Sequence, residues 1–146
     1  MRELPGDVFV TGQLLPAQLG ALAEQGVMAF INNRPDLEAP MQISSDELDK
    51  SAQALGVDYH HIPMASGLTP GLIEASVTAY TELPRPIVAF CASGRRSTAL
   101  WGFAHVRAMG VEAVMDAIAG IGFDMEQLRI PLTQYFESGQ SEGKPA

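Results

Sequence analysis

Segments that read as strands alternate with segments that read as helices, and this predicts an α/β fold: a small, mostly parallel sheet of about four to five strands covered by helices. Two further observations point the same way. The runs 27-VMAFINN-33 and 86-PIVAFC-91 are almost continuously apolar, the pattern of strands buried on both faces. The stretches between strands are also long enough to hold the crossover helices that parallel neighbours require.

Taken in order, 8-VFVTGQ-13 forms the first strand and 16-PAQLGALAE-24 a helix with proline in its first turn. Gly26 ends that helix and the strand 27–33 follows. The loop 34-RPDLEAPMQ-42 leads to 46-DELDKSAQALG-56, a helix capped by Ser44 or Ser45 and closed by Gly56. A third strand, 57-VDYHHIPM-64, is stopped by Pro63. Thr69 caps the helix 70-PGLIEASVTAYTEL-83, which Pro84 and Pro86 break. The strand 86–91 then feeds a helix from about Arg96 to Met109, closed by Gly110. Helical pieces around 111–119 and 124–137 complete one domain, residues 1–137. The polar stretch 138-SGQSEGKPA-146 is expected to be a flexible tail. Trp101 and Phe103 are expected in the core, and Val114, Ile118, Leu128 and Ile130 are expected to seal one face of the sheet.

Length and charge narrow the function. At 146 residues the chain buries one sizeable core. Its net charge of −8 opposes a nucleic-acid partner. A single cysteine excludes a disulfide framework and any multi-cysteine metal site, and no metal or cofactor is expected. No apolar run approaches the ~18 residues of a membrane span, so the expected setting is the cytoplasm. No interface is marked, and oligomerisation is left open.

Parallel strands deliver their C-terminal ends to one edge, so Asn33–Glu38, Met64–Leu68 and Cys91–Ser97 are expected to share a neighbourhood. The stretch 91-CASGRRS-97 sits there, between a buried strand and a helix start. Backbone amides of residues 92–97 and the helix N-terminus make this turn an anion cradle. Gly94 permits a backbone angle a side chain resists. Arg96 offers a planar fork for two oxygens, with Arg95 adding charge. A cysteine in that field ionises easily, so Cys91 reads as a nucleophile, with Ala92, Ser93, Gly94, Arg95 and Ser97 binding the substrate anion. The competing reading makes Cys91 a small buried hydrophobe.

The segments 31-INNRPDLE-38, 58-DYHHIPM-64 and 91-CASGRRSTALW-101, in this order, resemble bacterial proteins that share the phosphatase-like domain of beta-lactamase-hydrolase-like proteins. The likeness spans about residues 5 to 130. It implies a fold similar to dual-specificity phosphatases and an activity described in that family as sulfurtransferase or phosphatase. Some relatives carry a metal-dependent persulfide dioxygenase domain, which ties the family to sulfide metabolism.

Two chemistries compete for the loop. Tyrosine and dual-specificity phosphatases place five residues between Cys and Arg, whereas Cys91 and Arg96 are separated by four. The loop matches the rhodanese pattern Cys-x-x-Gly-x-Arg-Ser. A phosphatase also needs a general acid, and 64-MASGLTP-70 has no carboxylate. The first expectation is therefore a sulfurtransferase that forms a persulfide on Cys91, taking thiosulfate or a persulfide as donor. A phosphatase acting on a phosphate ester is the second, and a silent anion-binding domain the third. Asp36 and Glu38 are the nearby carboxylates, expected to be solvated unless they serve as acids. Arg34 pairs with one of them or charges the rim. Asn33 knits adjacent loops or touches substrate. His61 faces the opposite side of its strand from His60 and is a weaker candidate.

Overall fold

The computed structural model describes residues 1–142. Five strands, β1 (Arg2–Leu4), β2 (Val8–Thr11), β3 (Ala29–Asn32), β4 (Asp58–His61) and β5 (Ile87–Phe90), form one sheet in the order β1-β2-β5-β3-β4. β2, β5, β3 and β4 run parallel, with Val8 and Ala29 both opposite Ile87 and Ala29 opposite Asp58. β1 is antiparallel to β2 and was not predicted, because three residues are too few to show a periodicity.

Among the described residues six helices cover the sheet: α1 (Pro16–Glu24), α2 (Ser45–Leu55), α3 (Pro70–Glu82), α4 (Arg95–Met109), α5 (Val111–Gly120) and α6 (Arg129–Glu142), with a 3-10 turn at Glu126–Leu128. Their caps follow from sequence. Ser44 Oγ accepts from Glu47 N, Thr69 Oγ1 accepts from Leu72 N, and Gly56 closes α2 in the left-handed region.

Alternation along the buried strands feeds two cores. Phe30, Val88 and Phe90 pack under Leu19 of α1 and Leu48 of α2. Ile31, Ile87 and Ala89 point to the other face and pack with Tyr80, Trp101, Phe103, Val114, Ile118 and Leu132. Trp101 and Phe103 are core residues, as expected. Ile130 is not: it is 70% exposed, and Leu132 takes the inward position on α6. The helix also runs past residue 137, where the tail was expected to start. Arg107 Nη2 donates to Ser138 Oγ at 3.1 Å, tying that turn to α4. Residues 143–146 lie outside the described residues.

β5 occupies the centre of the sheet, and every parallel strand ends at the same edge. The residue after β5 is Cys91. The fold therefore puts the cysteine at the middle of the edge where the loops after β2, β3 and β4 converge.

Candidate active site

Cys91 is fully buried at the floor of the β5–α4 turn. Gly94 N donates to its sulfur at 3.1 Å. That amide reaches the sulfur because Gly94 holds φ +90, and a Cβ there would lie 3.3 Å from the Thr11 carbonyl oxygen. Burial pushes the thiol up. The amides of Ser97, Ser93 and Gly94, with the Ser97 hydroxyl, more than offset it, so Cys91 ionises below its ordinary range. Ser97 Oγ is buried and has no other hydrogen-bond partner among the described residues. Thr98 serves the helix instead, its Oγ1 donating to the Gly94 carbonyl at 2.8 Å.

Arg96 is held from outside. Its Nη1 donates to Glu38 Oε2 at 2.8 Å and to the Met64 carbonyl at 2.9 Å, and its Nη2 donates to Glu38 Oε1 at 2.9 Å. A guanidinium has five N–H donors. Three are spent on Glu38 and Met64, leaving the Nε–H and one Nη2–H, which share one edge of the fork. Arg96 lies close enough to Cys91 for the sulfur to reinforce its charge, after the larger effect of Glu38. That edge, on a side chain that reaches the Cys91 sulfur, is the one Glu38 and Met64 leave open.

Glu38 is the organiser of this arrangement. Besides Arg96 it accepts from Arg34 Nε at 3.1 Å, and Arg34 Nη1 in turn donates to Gln13 Oε1 at 3.1 Å. Arg96 first, and then Arg34, hold the Glu38 carboxyl below the usual carboxylate range against a partial opposing effect of burial. Glu38 stays exposed, as expected of a loop carboxylate, and is paired with Arg96 and Arg34.

The other candidates fall into supporting positions. Asn33 Nδ2 donates to the Ile62 carbonyl at 2.9 Å, which locks the β3 and β4 ends together. Asp36 Oδ1 accepts from Ser45 N at 2.8 Å and fixes the start of α2. His61 Nε2 donates to the Arg34 carbonyl at 2.8 Å. Arg95 Nη2 donates to the Asp124 carbonyl at 3.0 Å, so its guanidinium braces the 121–125 loop. Ala92 and Ser93 form the exposed lip of the turn. The three loops do meet: Arg96 touches residues 58 and 32 positions away. Sequence reasoning missed Gln13, the Met64 carbonyl and Asp124, none of which carries a local motif.

The profile of the family described as beta-lactamase hydrolase-like protein, phosphatase-like domain, matches residues 1–108. The chain belongs to this family. Within it, the Agrobacterium fabrum beta-lactamase hydrolase-like protein is 33% identical over 96 residues, covering 63% of this chain and 22% of the relative. The phosphatase-like domain described here thus spans about a fifth of that relative's length. Among solved structures, a candidate phosphatase from Neisseria meningitidis superposes with a TM-score of 0.77 at 25% identity, covering 92% of this chain and 96% of that one. The core catalytic domain of a PP-IP phosphatase from S. cerevisiae, in complex with citrate, gives 0.68 at 13% identity, covering 96% and 90%. The chain has the fold of these phosphatases, as the dual-specificity-phosphatase-like expectation had it.

Proposed function

We propose that this phosphatase-like domain is a cysteine-dependent phosphatase that hydrolyses a small phosphorylated substrate through a phosphate bound to Cys91. One observation carries the reading. Amides of Ser93, Gly94 and Ser97 converge on a thiol that ionises easily, while Glu38 holds Arg96 beside the same sulfur. Such a site needs little covalent machinery beyond the thiolate. It positions a phosphoryl group and neutralises its oxygens.

Cys91 Sγ attacks phosphorus in line with the leaving oxygen. The amides and Arg96 take the charge on the oxygens not involved in bond change. Water then releases phosphate and restores the thiolate. Because the nucleophile is the ionised form, the rate rises as pH climbs through the Cys91 pKa, and that rise comes at a lower pH than for an ordinary thiol near 8.5. A reduced thiol is required throughout, which suits a reducing compartment such as the cytoplasm.

This reading reverses the order in which the two chemistries stood on sequence grounds, because the family is described as phosphatase-like and its structural neighbours as phosphatases. Sulfur transfer is the second reading, favoured by the four-residue spacing between Cys91 and Arg96. Mass spectrometry separates them. A phosphatase shows a phosphate adduct on Cys91 during turnover, and Cys91→Ser abolishes activity. Gain of one sulfur atom from thiosulfate, without phosphate release from any ester, transfers the assignment to a sulfurtransferase. A Cys91→Ser protein that binds anions with no activity in the parent leaves only a binding domain.

A further inference from the structure

Expulsion of an oxygen leaving group is ordinarily assisted by a positioned acid. Among the described residues, three carboxyl groups lie on the loops around Cys91: Asp36, Glu38 and Asp124. Asp36 is committed to Ser45 N at 2.8 Å. Glu38 spends both oxygens on Arg96 and shares one with Arg34, an arrangement that keeps it ionised and without a proton to give. Asp124 is exposed and meets the site through its backbone carbonyl, which accepts from Arg95. His61 spends its Nε2 proton on the Arg34 carbonyl. The segment between β4 and α3, 62-IPMASGLT-69, has no ionisable side chain at all.

We infer that the substrate carries its phosphate on a group that leaves readily as an anion: a phosphoanhydride, an acyl phosphate or an aryl phosphate, in preference to the ester of an alkyl alcohol. The inference rests on the phosphatase reading above. Each bond change is then accounted for without a protein acid. Cys91 Sγ bonds to phosphorus, the bond from phosphorus to the leaving oxygen breaks, and its electron pair departs with that oxygen. The anion takes its proton from solvent. Water next attacks phosphorus, the sulfur–phosphorus bond breaks with its pair returning to Sγ, and phosphate leaves as the water's proton passes to solvent. A phenol, with a pKa of about 10, leaves far more easily this way than an alkyl alcohol, which is a much weaker acid, close to water itself.

The test is a leaving-group series on the whole chain: acetyl phosphate, pyrophosphate, ring-substituted phenyl phosphates and glycerol phosphate, each followed from pH 5 to 9. The expected result is a fall in kcat/KM of about three- to tenfold per unit rise in leaving-group pKa. Asp124→Asn and His61→Asn should keep the same slope. A flat series with an alkaline limb that either variant removes identifies a general acid and overturns the inference. So does failure to cleave the most activated phenyl phosphate while Cys91 still alkylates readily. Activity that survives Cys91→Ser, by contrast, overturns the phosphatase reading itself.

Discussion

The sulfur of Cys91 sits where burial and backbone amides oppose each other, and the amides prevail. Alkylation of Cys91 followed against pH should therefore give a midpoint below the free-thiol value of about 8.5. Gly94→Ala tests which atoms are responsible. The new methyl group meets the Thr11 carbonyl oxygen at 3.3 Å and the residue must hold φ +90, so the turn shifts. The expected outcome is a loss of about 1–2 kcal/mol in stability and a higher alkylation midpoint. Glu38→Gln acts on the other wall. It removes a charge-assisted pair worth about 1.5–3 kcal/mol, so kcat/KM should fall by at least about tenfold as Arg96 loses its fixed edge. The pair is about a quarter exposed, so its weight in stability is smaller than its weight in catalysis. The sign with pH is set by a lowered carboxyl pKa: what the pair contributes is present above the ordinary carboxylate range and lost as pH falls through the folded value.

Among the elements, the loop between β3 and α2 is the one built against local preference. Leu37 and Met41 hold φ +65 and +60 and are 92% and 103% exposed. The loop keeps this shape because Gln42 brackets it: its Oε1 accepts from Glu38 N and Ala39 N, and its Nε2 donates to the Pro35 carbonyl. That bracket is what delivers Glu38 to Arg96. Leu37→Gly relieves the left-handed strain and loses no buried surface, so thermal unfolding should show up to about 1 kcal/mol of added stability. The α4–α5 contact shows the reverse situation. A Cβ on Gly102 would sit 3.2 Å from Val114 Cγ1 and 3.5 Å from Ile118 Cδ1, which requires two helices to approach closely. Gly102→Val should cost about 1–3 kcal/mol in denaturant unfolding through overpacking.

For the molecule as a whole, stability carries a second pH signature, from the core. His105 stacks on Trp101, with ring centroids 4.9 Å apart, and meets Tyr80 edge-on at 5.0 Å. Burial lowers its pKa, the hydrogen bond to the Trp101 carbonyl partly restores it, and Arg85 lowers it further. Below about pH 6.5 the unfolded chain takes up a proton that folded His105 resists, so stability declines as pH drops through that range. Melting temperatures from pH 8 to 5 should fall accordingly, and His105→Phe should flatten the slope. The loss lies above the pH range of Glu38, so the two effects separate on one titration.

Sequence alone determined the alternation of strands and helices, their caps, the central apolar strand and the cysteine turn at its end. These features are local: side-chain period, a capping residue or a glycine within a few positions writes each of them into the chain. Tertiary structure decided what surrounds the turn. The pairing of Glu38 with Arg96 joins residues 58 positions apart, and no periodicity records it. The same holds for the Arg95 brace on Asp124, for the three-residue strand β1, and for which residue of α6 faces inward. Each depends on two distant segments reaching one place, and only the packed sheet edge brings them there.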